Sequence, residues 1–159
     1  MVDRSDIGAV VDAMYACISG PAGPRDWATQ REIFHPESRQ ARTGLDADGR
    51  PTMIVLGREE YQANVTPFFD TTGFFEVEIA RRIDVFGNMA HVWSLYEARN
   101  DPADVEPERR GINSIQLAKS PDGLWSILHM IWDNERPGLK APPFDCQIDC
   151  DQFASGHHF

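Results

Sequence analysis

The sequence lacks the features that would place it in a special class. No apolar run approaches the roughly 18 residues that a membrane-spanning helix needs. Positive charge is scarce: 15 Lys and Arg against 25 Asp and Glu leave a net charge of −10. An acidic surface repels phosphate backbones and anionic lipid, so neither nucleic acid nor membrane is an expected partner. Cysteine is sparse as well. Cys17, Cys146 and Cys150 do not make a disulfide framework. Cys146 and Cys150 lie near His157 and His158, but the spacing matches no standard zinc site, and no metal is expected there. Asp12 and the acids Asp3 and Asp6 spoil the N-terminal apolar stretch as a signal peptide, which leaves a cytoplasmic address as the expectation. Internal repeats are absent.

What remains is ordinary for a globular protein: 42% hydrophobic and 25% charged residues over 159 positions, enough for one domain with its own core. Ile7, Val10, Val11, Met14, Tyr15 and Ile18 recur at threes and fours, an amphipathic helix over residues 5–19, capped by Ser5 or Asp6. Residues 25–34 form a second short helix with Trp27, Ile33 and Phe34 inward, broken at Pro36. "RQARTGLDADGRPTMIVLG" reads as a hairpin, and "REEYQANVTPFF" as a third helix anchored by Tyr61, Val65 and Phe68. Four strands follow. In "FFEVEIARRIDVF", Phe75, Val77, Ile79, Ile83 and Val85 share one face, and Glu76, Glu78, Arg82 and Asp84 the other. Gly87-Asn88 is a tight-turn signal before "MAHVWSLYEAR". "RGINSIQLAK" and "LWSILHMIW" then flank a Pro-Asp-Gly turn.

Helices early in the chain and strands late predict an α+β fold, with three N-terminal helices on the concave face of a curved, mostly antiparallel sheet. Residues 1–137 form this domain, and 138–159 a tail, docked or flexible. "LWSILHMIW" is apolar on both of its faces, and Asn113 sits where an apolar strand should be dry.

The order of elements, "IF-x-P" at the end of the second helix (Ile33, Phe34, Pro36) and "G-x-x-A-x-V-x-S-x-Y" (Gly87 to Tyr96) resemble the nuclear transport factor 2-like superfamily. The stretch from Phe86 to Gly138 is most similar to its SnoaL-like members, of mostly unassigned function. The resemblance covers about residues 5 to 137. It implies a cone closed by the helices around a pocket, no cofactor, and a homodimer through the convex face. Such folds serve isomerases, dehydratases, cyclases and non-enzymatic adaptors alike, so the fold does not name the chemistry.

Overlaid on the ketosteroid isomerases of that superfamily, Asn113 falls where they hold a hydrogen-bond donor to the substrate oxygen, and Tyr15 within a residue of their oxyanion-hole tyrosine. The same overlay turns Leu128, Met130 and Trp132 into the pocket with His91, Trp93, Leu95 and Glu97. It turns Ala90, Val92, Ser94 and Tyr96 outward, and Trp125, Ile127, His129 and Ile131 into the dimer face. The implied site is then Glu97 as the proton-moving group, its carboxyl desolvated by Trp93 and Trp132, with Asn113 and Tyr15 stabilising an oxyanion. Each has a structural alternative. Glu97 could pair with Arg99, Arg109 or Arg110, Asn113 could bond a neighbour across the sheet, and Tyr15 could be core. The position of the isomerases' general base is Arg42, which cannot abstract a proton, so their mechanism is not expected. Asp46 and Asp48 read as turn chemistry, and His35 as a helix-end residue. His91 and His129 have no triad partner. The functional expectation is an apolar small-molecule pocket, used for cofactor-free acid–base chemistry, or for carriage without chemistry, or plugged by its own side chains in an interaction module.

Overall fold

The structure, a computed structural model, describes residues 1–144. Its elements run α1 (Ile7–Ile18), α2 (Trp27–Ile33), β1 (Phe34–Leu45), β2 (Pro51–Gly57), α3 (Arg58–Thr71), β3 (Phe75–Phe86), β4 (Met89–Arg99), β5 (Arg109–Lys119) and β6 (Trp125–Asn134). The α+β order expected from the sequence is the order observed. The zinc reading of Cys146, Cys150, His157 and His158 lies outside the described residues. No helix among the described residues is long and apolar enough to cross a membrane.

Local chemistry sets the helix ends. Asp6 accepts the Gly8 amide at 2.8 Å to open α1, and Asp26 accepts the Thr29 amide at 3.0 Å to open α2. Past the end of α1, Arg25 donates to the carbonyls of Ile18 (2.7 Å), Pro21 (2.8 Å) and Gly20 (3.0 Å). Pro36 does not open a loop after α2, because the chain passes straight into β1 at Phe34. In α3 the buried stripe is Tyr61, Val65 and Phe69. Phe68, expected as the third anchor, is 40% exposed, and Phe69 replaces it by packing against the rings of Phe74 (5.3 Å) and Trp27 (6.3 Å).

The six strands form one sheet in the order β2-β1-β6-β5-β4-β3. Every pairing is antiparallel except β1 with β6. Gly87, at φ 58°, makes the two-residue turn between β3 and β4, a conformation that favours glycine. The helices cover one face. There α1 and the end of α2 bury Val10, Val11, Met14 and Ile33 against Val92, Ile115, Leu117, Trp125 and Ile127. A second cluster around α3 joins Cys17, Ile18, Tyr61, Val65, Phe69 and Phe74.

Two bulges decide which side chains reach that inner face. In β6 the register to β5 slips between Ile127, opposite Leu117, and His129, opposite Gln116. Leu128 is left over, so Trp125 and Ile127 point inward before it and Met130 after it, with His129 and Ile131 outward. This corrects half of the expected dimer face: Trp125 and Ile127 are core, while His129 and Ile131 are exposed outside as expected. In β3 the slip falls at Ile79. Glu78 pairs with Tyr96 and Glu76 with Ala98, both inward positions of β4, so the acids turn inward while Val77, 53% exposed, turns outward. A single extra residue reverses the facing of everything beyond it.

Strand β4 has no bulge, yet its expected phase is the wrong one. Ala90, Val92, Ser94, Tyr96 and Ala98 are the buried, helix-facing set, while His91, Trp93 and Glu97 lie outside. The pairings Ser94 with Asn113 and Tyr96 with Gly111 fix this, because Asn113 faces inward on β5. Gly111 permits a close crossing at this point: a Cβ there would meet the Asp133 carbonyl at 2.3 Å and the Tyr96 hydroxyl at 2.6 Å.

Candidate functional site

A cavity of about 80 Å³ opens on the inner face between α3 and the sheet. Ile18, Tyr61, Val65, Phe69, Phe74, Met130 and Trp132 make its apolar wall. Its polar lining comes from Glu76 of β3, Asn113 and Arg109 of β5, Arg42 of β1, and Tyr96 and Asn134, which bond each other at 2.6 Å.

Glu76 is the ionisable acid in that wall. Burial pushes its carboxyl up to about 7, against the opposing pull of the Asn113 hydrogen bond and the Arg109 charge. Asn113, 1% exposed, donates from one amide nitrogen to Glu76 Oε1 at 3.3 Å and to the Tyr15 hydroxyl at 3.0 Å. The Tyr15 hydroxyl lies 2.6 Å from Ser94 Oγ, and Ser94 donates to Glu78. Glu78 is held by Arg81, whose Nε donates to it at 2.8 Å and whose Nη2 reaches Asp12 at 2.5 Å.

The direction of this chain follows from counting protons. Ser94 has one, given to the Glu78 carboxylate, so the 2.6 Å contact with Tyr15 is made by the tyrosine proton. Burial, with Glu76 nearby, pushes the Tyr15 hydroxyl well above its ordinary range, so it keeps that proton. Tyr15 therefore accepts from Asn113 and donates away from the cavity. Both ends of the Asn113 amide bonds are likewise committed. Asn113 thus holds Glu76 and is itself held by Tyr15, so the N–H and O–H donors of both are already engaged.

No protein-family model matches the sequence, and no curated protein matches it. Solved structures do. A protein of unknown function from Pseudomonas putida KT2440, described as nuclear transport factor 2-like, superposes with a TM-score of 0.64 at 14% identity, covering 91% of this chain and 95% of that one. A Streptomyces avermitilis protein provisionally named a dehydratase of that family gives 0.60 at 13% identity, covering 84% of this chain and 96% of that one. A Shewanella frigidimarina protein provisionally named a ketosteroid isomerase gives 0.57 at 19% identity, covering 82% and 96%. The chain has the nuclear transport factor 2-like fold.

Within this nuclear transport factor 2-like cone, Met130, Trp132 and Asn113 line the cavity, and Tyr15 stands behind Asn113. The other expected site residues lie elsewhere. Glu97 is on the outer face, bonded by Arg99 at 3.0 Å and Arg110 at 3.4 Å, which is the ion-pair alternative. Trp93 lines a separate outer groove of about 410 Å³ with Ile112, Ser114, Ile131, Leu139 and Pro142. Leu95 is buried on the outer side opposite Ile112, and Leu128 is the bulge residue. Sequence reading missed Glu76 by placing it on the polar face of an alternating strand. The available signal was the break in alternation at "IARR", where Ala80 and Arg81 disturb the apolar phase and mark the bulge. Among the described residues no group of three or more His, Cys, Asp or Glu is placed to share a metal ion.

Proposed function

We propose that this chain is a cofactor-free acid–base enzyme acting on a small molecule in the inner cavity, of the isomerase or dehydratase kind, with Glu76 as the proton-moving group. The observation that carries this reading is a carboxyl in a largely apolar wall, pushed up to about 7 and held by Asn113. A carboxyl with that proton affinity can both take and return a proton near neutrality. Glu76 would remove a proton from carbon next to a carbonyl and return it to another position, or remove it as a hydroxyl leaves. Asn113 and Tyr15 are positioning residues in this reading. Structural neighbours provisionally named ketosteroid isomerase and dehydratase are consistent with the reaction type.

The test is exchange of solvent deuterium into the acidic C–H positions of small ketones and enones, followed by proton NMR. Glu76→Gln should abolish exchange and leave binding largely intact. Equal exchange by the wild type and the variant would end the proposal.

One observation favours a second reading, a binding or interaction module without chemistry. The cavity of about 80 Å³ is well below the roughly 300–1,000 Å³ of drug-sized ligand sites, so aromatic side chains fill much of the cone. Saturable binding without exchange or product would support that reading. In either case a homodimer through the outer face is supported by the exposure of Met53, Val55, Val77 and Ile131 on that side of the sheet. Sedimentation of the wild type as a monomer, indistinguishable from Ile131→Asp, would remove the dimer.

A further inference from the structure

We propose that the ligand of the inner cavity is a small acid, with its carboxylate held by Arg42 and Arg109 at the rim and its flat apolar body against Tyr61, Phe69 and Trp132. This deepens the acid–base reading of Glu76 and rests on it for the placement of the reactive carbon.

The chain uses its arginines unevenly. With a net charge of −10, carboxylates are plentiful, and several guanidinium groups are fully engaged. Arg25 is committed to four carbonyls, Arg81 to Glu78 and Asp12, and Arg99 to Glu97. The two cavity arginines differ. Arg42 makes one long hydrogen bond, 3.4 Å to Asn64 Oδ1, and its guanidinium lies 5.8 Å from the Trp132 ring. Arg109 makes no side-chain hydrogen bond among the described residues, and neither arginine is ion-paired among them.

Both nevertheless reach the cavity. Arg42 pairs in register with Trp132, an inward position, and Arg109 opens β5 on the same side of the sheet as Asn113. The Arg109 charge is felt at Glu76 and Tyr96, and the Arg42 charge at Tyr61. Two under-used guanidinium groups therefore converge on an apolar, aromatic-walled space that contains one acid. Guanidinium matches a carboxylate in a forked, charge-assisted geometry that a neutral carbonyl does not reproduce. Aromatic walls suit a flat or branched apolar body.

Putting a second carboxylate near Glu76 carries a signature of its own. Like charges in one site disfavour joint ionisation, so an acid entering the cavity should raise the proton affinity of Glu76 and draw a proton from buffer. The charged and titratable groups facing that event are Tyr15 on α1, Tyr61 on α3, Arg42 on β1, Tyr96 on β4 and Arg109 on β5. Burial holds the three tyrosine hydroxyls above their ordinary range, and the arginines stay charged, which leaves Glu76 to take up the proton.

Isothermal titration of the full chain at pH 8 tests this with matched probes: benzoate against benzamide, and isovalerate against isovaleramide. Each acid should bind at least about tenfold tighter than its amide, with proton uptake seen as a heat that depends on the buffer. Arg42→Gln and Arg109→Gln should each weaken the acids about tenfold and leave the amides unchanged. Arg50→Gln, in the exposed turn before β2, should change neither. Acids and amides binding equally, with both weakened by Trp132→Ala, would overturn the anion site and leave the cavity reading standing. Arginine variants that weaken acid and amide alike would also overturn it, as structural residues would behave so. If none of the four probes binds, the anion site is overturned, while the acid–base reading is decided separately by the exchange of ketones and enones. The acid–amide comparison needs only the wild type, so a variant that fails to fold does not blunt it.

Discussion

Glu76 and Glu97 sit one register step apart on neighbouring strands, with Glu76 opposite Ala98 and Glu97 opposite Val77. Their chemistry is the same, but their surroundings are opposite. Glu97 lies outside, where Arg99 and Arg110 neutralise it at 3.0 and 3.4 Å. Glu76 lies inside, where an uncharged amide holds it and burial pushes its carboxyl up to about 7. On this sheet the face, rather than the residue type, decides whether a glutamate becomes an ion pair or a proton carrier.

The sharpest way to break this comparison is to test the faces themselves. Ile127→Ala removes a fully buried side chain of the inner face and should cost about 2–5 kcal/mol in urea denaturation. Ile131→Ala, three pairings along the strand and 48% exposed, should stay within about 0.5 kcal/mol in the monomer. Similar losses at both positions would contradict the Leu128 bulge.

Next comes the pH dependence of Glu76. Its carboxyl is raised from 4.5 to about 7 on folding, so below pH 4.5 both states hold the proton and there is no penalty. Between pH 4.5 and 7 the unfolded chain ionises while the native state keeps its proton, so the stability present at low pH is progressively lost, and the loss is complete once pH passes 7. Glu76→Gln escapes this. Relative to wild type, its stability should be nearly unchanged at pH 4 and higher by up to about 3 kcal/mol at pH 8. A pH-independent difference would show that Glu76 ionises as a solvated acid.

Asn113→Ala should act less strongly. It removes the donor to Glu76 and one partner of Tyr15, at a cost of about 1–3 kcal/mol. The same change should move the Glu76 titration upward, read by carbon NMR of its carboxyl, because the lost hydrogen bond favoured the ionised form. An unmoved titration would mean that Asn113 does not hold the acid. The smallest effect belongs to Glu97→Gln. Loss of an outer-face ion pair should cost under about 1 kcal/mol and leave deuterium exchange intact. Loss of exchange there would return the chemistry to the outer face.

Much of the architecture was legible in the residues. The helix stripes, the Asp-Ala-Asp-Gly and Gly-Asn turns and the runs of alternating residues located every element to within a few positions, because those signals are local. Met130, Trp132, Asn113 and Tyr15 were also found at or behind the cavity, although the phase carried from the isomerases misplaced Trp93, Leu95 and Glu97. Alternation divides a strand into two sets of side chains. It does not say which set faces the helices.

That choice is made by pairing between distant strands and by the bulges at Ile79 and Leu128, each of which exchanges the two faces part-way along. The order of helices and strands, their turns and their apolar supply follow from local residue patterns. That Glu76, and not Glu97, meets the cavity was left to tertiary structure: pairing with β5 sets the phase of the bulge-free β4, and the bulge at Ile79 lets Glu76 and Glu78 share the inner face with the later Ile83 and Val85.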